Sequence, residues 1–218
     1  MALTSLGGVV VLAPQRRQTL HRRALWLEYF TVGWNMVEGV VAIVAGVIAG
    51  SVALIGFGAD SAIEVASAVG LLWRLRKAGP DASVSEEGAA EKRALYVVAA
   101  TFFLLAVYIT YESVTALIRH EEPLTSPVGV VLAALSLAVM PALAFAKQHV
   151  GKQMGSSALV ADAKETWVCS YLSLSLLIGV GAYALLGWWW ADPIGALAMV
   201  PVIVWQGWET FAEARERD

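Results

Sequence analysis

The chain has 218 residues, 58% of them hydrophobic and only 15% charged, with a formal net charge of −3. Soluble domains carry about a quarter charged residues and somewhat under half apolar ones, so this composition excludes an ordinary water-soluble globule and a disordered chain and describes a membrane protein. The acidic balance gives no basic surplus for nucleic acid, and a single cysteine, Cys169, excludes an internal disulfide framework and a multi-cysteine metal knuckle.

A membrane-crossing helix needs roughly 20 mostly apolar residues. Six stretches qualify: 24–48, 51–75, 94–118, 127–146, 157–190 and 193–212. The short apolar run before Pro14 precedes its arginines, the reverse of signal-peptide order, so no cleavage is expected. The expected fold is all-α, a bundle of six transmembrane helices over 24–212, after a cytoplasmic segment 1–23 and before a short cytoplasmic tail 213–218 with no C-terminal domain. The polar stretch 77–92 reads as a solvated loop. Of the 15 Lys and Arg, all but Arg119 fall on the side of the termini, among them Lys147 and Lys152 after the fourth span, which places both termini in the cytoplasm. Trp188, Trp189 and Trp190 then fall at the outer end of the fifth span, as in an aromatic belt. Asp192 and Pro193 read as an N-cap and first-turn proline of the sixth. Pro141 and Pro201 read as kinks inside spans.

Ionisable groups inside spans are expensive and mark a pathway or a site. Asp60 and Glu64 share one face of the second span, a turn apart, and Glu165 and Cys169 repeat that spacing on the fifth. Measured from the cytoplasmic helix ends, the first pair lies roughly 24 and 18 Å deep and the second roughly 12 and 18 Å, so the pairs overlap in height. Two facing pairs supply four oxygen and sulfur donors, the number a tetrahedral zinc ion takes. The small residues Gly56, Gly58, Ser61, Ser67 and Gly70 also suit close helix packing, and a lone cysteine is often a small hydrophobe. Glu38 reads either as a proton relay or extra ligand, or as a hydrogen-bonding partner of a neighbouring helix. Asp162 either attracts ions from the cytoplasm or belongs to a solvated helix start. Glu28 reads as interfacial and Glu112 as structural, and His21, His120 and His149 fall outside the spans.

The run Gly50-Ser51-Val52-Ala53-Leu54 followed by Asp60-Ser61-Ala62-Ile63-Glu64 resembles the second helix of the cation diffusion facilitator family, whose S-x-A-L segment leads to a D-x-x-x-D metal pair. Ser157-Ala158-Leu159, Ala161-Asp162, Trp189 and Asp192-Pro193-Ile194-Gly195-Ala196-Leu197 are similar to the family's run from its fifth into its sixth helix. The family's H-x-x-x-D pair there lands on Glu165 and Cys169, a departure at both positions. The resemblance implies a six-helix exporter of zinc and related divalent ions by proton exchange, commonly a homodimer. The usual cytoplasmic C-terminal domain and a histidine-rich loop between the fourth and fifth helices are both missing from the expected pattern.

The function expected is therefore export of a divalent cation, zinc first, by proton-coupled alternating access, with Asp60, Glu64, Glu165 and Cys169 as ligands and Glu38 and Asp162 as pathway or relay residues. Metal and proton occupancy of such a site exclude one another, and that exclusion supplies the coupling. The expected setting is the plasma membrane, with metal ions, protons and a second copy as partners, no nucleic acid and no resident cofactor. An intramembrane enzyme is disfavoured, since H-E-x-x-H, G-x-S-x-G and an in-span histidine are absent from the sequence. The alternative is a membrane scaffold or regulatory subunit whose acids bind partner helices.

Overall fold

The computed structural model describes residues 4–6, 9–11, 14–78 and 89–216. Two short strands, β1 (Thr4–Leu6) and β2 (Val9–Val11), pair antiparallel ahead of six long helices: α1 (Pro14–Ala49), α2 (Val52–Ala78), α3 (Ala89–Arg119), α4 (Pro127–Met154), α5 (Ser157–Leu186) and α6 (Ala191–Glu216). All six are long and apolar enough to span a membrane, so the fold is an all-α membrane bundle. The hairpin at its start has no counterpart in the expected pattern, and the loop expected at 77–92 lies largely outside the described residues.

The helices outrun the apolar stretches that announce them because a helix ends where its backbone can be capped, not where its side chains turn polar. The fourth span, expected to end at 146, continues as α4 to Met154. Gly155 in the left-handed region (φ 67°) stops it, and Ser156 at once caps α5 by accepting the Leu159 amide at 3.3 Å. This two-residue turn makes α4 and α5 antiparallel neighbours. The same chemistry ends α5 at Leu186, before Gly187 (φ 70°), so the three tryptophans lie in the connection rather than on the helix. Asp192 also differs from expectation. It lies in the first turn of α6, and its carboxylate caps α2 instead, accepting the Ser51 hydroxyl at 2.5 Å and the Val52 amide at 3.0 Å.

α1 packs most extensively on α2, α4 on α5 and α3 on α6, while α2 also touches α3, α5 and α6. In the most apolar window of each helix, 56% of α2 and 50% of α5 is buried, against 33% to 39% for the others, which puts the two helices carrying the predicted ligand pairs at the centre. Glycines bring the backbones together there. A methyl group at Gly58 would stand 3.0 Å from the Gly39 carbonyl oxygen of α1. The inner core is apolar, built on Leu54, Phe57, Ile109, Met140, Leu172, Leu176, Met199 and Ile203. The outer faces are apolar too, with Val40, Val44, Val47, Leu104 and Val107 exposed, the pattern of helices surrounded by lipid.

Candidate metal site and the network behind it

Asp60, Glu64 and Ser67 follow one face of α2 and line a small cavity, with room for about one water-sized group, bounded by Val98 and Phe102 of α3, Glu165 of α5 and Gln206 of α6. Three of the four predicted ligands therefore meet in one place. Ser67 donates a hydrogen bond to Glu165 Oε2 at 2.8 Å, and Thr166 donates to Glu64 Oε1 at 3.1 Å. Glu64 Oε2 and Gln206 Oε1 are buried and have no hydrogen-bond partner. Cys169 is buried against the Glu64 carboxyl and is not part of the cavity lining. Among the described residues no group of three or more His, Cys, Asp or Glu is arranged to hold a metal ion, so the acids surround a space without closing a coordination shell.

A second, more open cleft runs between α5 and α6, lined among others by Lys164, Glu209 and Glu213. Glu165 and Gln206 line both, so they form the wall between the inner cavity and this cleft, on the half of the bundle where α6 ends. Lys164 and Glu209 face each other across it at 3.9 Å, both exposed.

The two predicted pathway residues lie outside the inner cavity. Glu38 is buried and accepts hydrogen bonds from Trp34 Nε1 at 3.3 Å, from Ser61 at 3.2 Å and, at short range, from Ser136, which joins α1 to α2 and α4. Asp162 is buried and paired at short range with the Lys147 ammonium, so it is no solvated helix start. Lys147 itself, expected in a loop, is wholly enclosed in α4, and Glu28, expected at the interface, is wholly enclosed in α1 with Oε1 3.5 Å from Lys147 Nζ. Burial of the lysine is tolerable because its ammonium meets a carboxyl on either side in a low-dielectric interior.

The sequence does carry two signals for this network. Glu28, Thr31, Asn35 and Glu38 recur at helical spacing along α1 and are all buried, a polar stripe on an otherwise apolar helix. Lys147 and Asp162 stand at nearly equal distances on either side of the Gly155-Ser156 turn, which makes them neighbours once α4 and α5 pair.

Three carboxylates on an inner cavity, beside a hydroxyl and an amide, gather several oxygen acceptors around one space, the chemistry that receives a cation. Relatives agree with the geometry. The chain is 28% identical over 170 residues to an uncharacterized transporter, sll1263, of Synechocystis sp., covering 76% of this chain and 54% of the relative. It is 24% identical over 172 residues to transmembrane protein 163 of Xenopus laevis (79% and 60%), and 27% identical over 184 residues to the magnetosome protein MamB of Magnetospira sp. (80% and 59%). The chain thus spans between 54% and 60% of the length of these curated relatives. The family profile described as the cation efflux transmembrane domain matches residues 31–217, nearly the whole bundle including every residue of the inner cavity, and the chain belongs to the cation efflux family.

Proposed function

We propose that this chain carries a divalent metal cation, zinc first, out of the cytoplasm in exchange for protons, with Asp60, Glu64 and Glu165 receiving the ion and Cys169 joining them when the cavity contracts. The observation that carries this proposal is the inner cavity, where the buried Asp60 and Glu64 of α2 meet the half-buried Glu165 of α5, the two glutamates on neutral hydroxyls, with no lysine or arginine in the lining. An incoming dication supplies the missing charge, and the protons that the acids hold in its absence must leave as it binds. The ion arrives through the α5–α6 cleft past Glu209 and Glu165. Rocking of the helices then opens the cavity to the far side, where protons displace the ion.

The termini face the cytoplasm in this proposal. Of the 14 Lys and Arg other than the buried Lys147, 13 lie on that side, the excess that cytoplasmic loops carry. The protein works in the plasma membrane as a homodimer associated through its helices. The test is zinc flux into proteoliposomes with a pH-sensitive dye in the lumen. The native protein drives zinc and proton movements in opposite directions, and Asp60→Ala abolishes both with unchanged expression. Undiminished flux in Asp60→Ala would sink the site.

A further inference from the structure

The buried ion network is joined to the inner cavity by one side chain. Thr166 Oγ1 lies 3.3 Å from Lys147 Nζ, which donates to it, and 3.1 Å from Glu64 Oε1. The hydroxyl has one proton and two acceptors within reach, the Asp162 carbonyl oxygen also standing at 3.1 Å. The ammonium occupies a lone pair of this oxygen and polarises its O–H, and of the two acceptors the Glu64 carboxylate, once ionised, is the stronger, so the proton is drawn to Glu64 rather than to the Asp162 carbonyl. Lys147 is itself held in place by Asp162 and by Glu28, so its position is set by α1 and α5 together. Glu64 Oε1 is thereby held, while Oε2 has no protein partner.

We propose that Lys147 is a positioning residue for the transported cation: acting through Thr166, it pins one oxygen of Glu64 and so presents the other as a single-oxygen donor to the ion. This rests on the inner cavity being the cation site. The arrangement matches Glu165, whose Oε2 is pinned by Ser67 in the same way. Each acid then enters the coordination shell already oriented, and the ion need not order it. Lys147 is not part of the cavity lining, and its hydrogen-bonded route to the site is the chain Lys147, Thr166, Glu64, beside the direct attraction between its charge and the Glu64 carboxyl.

The experiment is calorimetric zinc binding to the full chain in detergent, with Asp60→Ala as the reference for the site itself. A hydrogen bond to a charged group contributes about 1.5–3 kcal/mol, so Thr166→Val raises the zinc Kd by about tenfold or more, while Thr166→Ser, which keeps the hydroxyl, stays within about threefold of native. Lys147→Met paired with Glu28→Gln, which removes one acid along with the cation, raises Kd to a similar degree. Adding Thr166→Val to that pair raises it no further, because the two changes cut the same chain. Should the pair fail to fold, Lys147→Arg keeps the charge and the donor and binds within about threefold of native. Native affinity in Thr166→Val, multiplicative losses in the triple variant, or a Lys147→Arg affinity as poor as that of Thr166→Val overturns the proposal. Zinc binding lost in Asp60→Ala but untouched in Thr166→Val defeats the positioning role alone, whereas equal binding by native protein and Asp60→Ala removes the site and the positioning role together.

Discussion

Two sets of acids sit side by side inside this bundle, and the protein treats them in opposite ways. Glu28 and Asp162 share the ammonium of Lys147, so one unit of their charge is answered from within the chain. Asp60, Glu64 and Glu165 surround a cavity, and Glu64 and Glu165 are met by the neutral hydroxyls of Thr166 and Ser67. The two sets are three residues apart on α5, at Asp162 and Glu165, so depth in the membrane does not separate them. What separates them is whether the counter-charge is covalently present. In the function proposed here the acids with an internal cation hold helices together and the cavity acids receive a cation that comes and goes, while Glu38 and Asp192 bridge helices through hydroxyls and amides alone.

The sharpest way to break this comparison is to measure stability rather than transport. Lys147→Met leaves two enclosed carboxylates without a partner, and breaking a buried pair by removing one member costs about 3–5 kcal/mol, so a large fall in the detergent melting temperature is expected. Asp60→Ala should show the reverse sign or no change, because it removes an acid that the metal-free fold does not compensate. Adding zinc should raise the melting temperature of the native protein but not of Asp60→Ala, since only a ligand that binds the folded state stabilises it. Equal destabilisation by the two substitutions would show that both sets are structural.

Proton linkage sharpens the same contrast with a smaller effect. Three carboxylates gathered on one cavity bind a cation only in their ionised forms, so protons and metal compete, and zinc affinity falls as pH falls and rises as it rises. If more than one proton leaves per ion, affinity changes by more than about tenfold for each pH unit, and titrations in buffers of different ionisation enthalpy count those protons directly. Glu165→His should lower the count, because one anionic donor becomes a neutral one. The network around Lys147 already has its cation and contributes nothing to this zinc-linked release. A proton count of zero between pH 6 and pH 8, taken to span neutrality, would refute exchange.

How far the sequence revealed all this follows the same division. The six spans were legible because lipid demands long apolar helices, and the acids on α2 were legible because nothing bland accounts for a carboxyl pair at one-turn spacing, a spacing that Glu165 and Cys169 repeat on α5. Helix ends were less so. Hydropathy places the close of the fourth span at 146, whereas the glycine and serine at 155 and 156 decide where α4 stops. Lys147 was lost in that gap: a lysine just past an apolar stretch reads as a loop residue, and only the pairing of α4 with α5 and the approach of Glu28 from α1 enclose it. Asp192 was misread for a related reason. A cap signal names the helix that follows in sequence, and the carboxylate serves α2, 140 residues earlier.

Cys169 gives the finest test of where the boundary between the two kinds of site runs. It is a turn beyond Glu165, buried, and packed on the Glu64 carboxyl, so it stands immediately behind the cavity rather than on it. If the cavity contracts around the ion, the thiolate joins the oxygens and the site gains a soft donor, which zinc and cadmium favour over manganese. Cys169→Ser then weakens zinc and cadmium binding several-fold, roughly one hydrogen-bond-sized increment of free energy, and leaves manganese nearly unchanged, a difference visible in parallel titrations with the three metals. Zinc should also protect the thiol from alkylation. Should all three metals lose affinity equally, Cys169 belongs with the packing of α5 against α2, and the transported ion is received by oxygen alone.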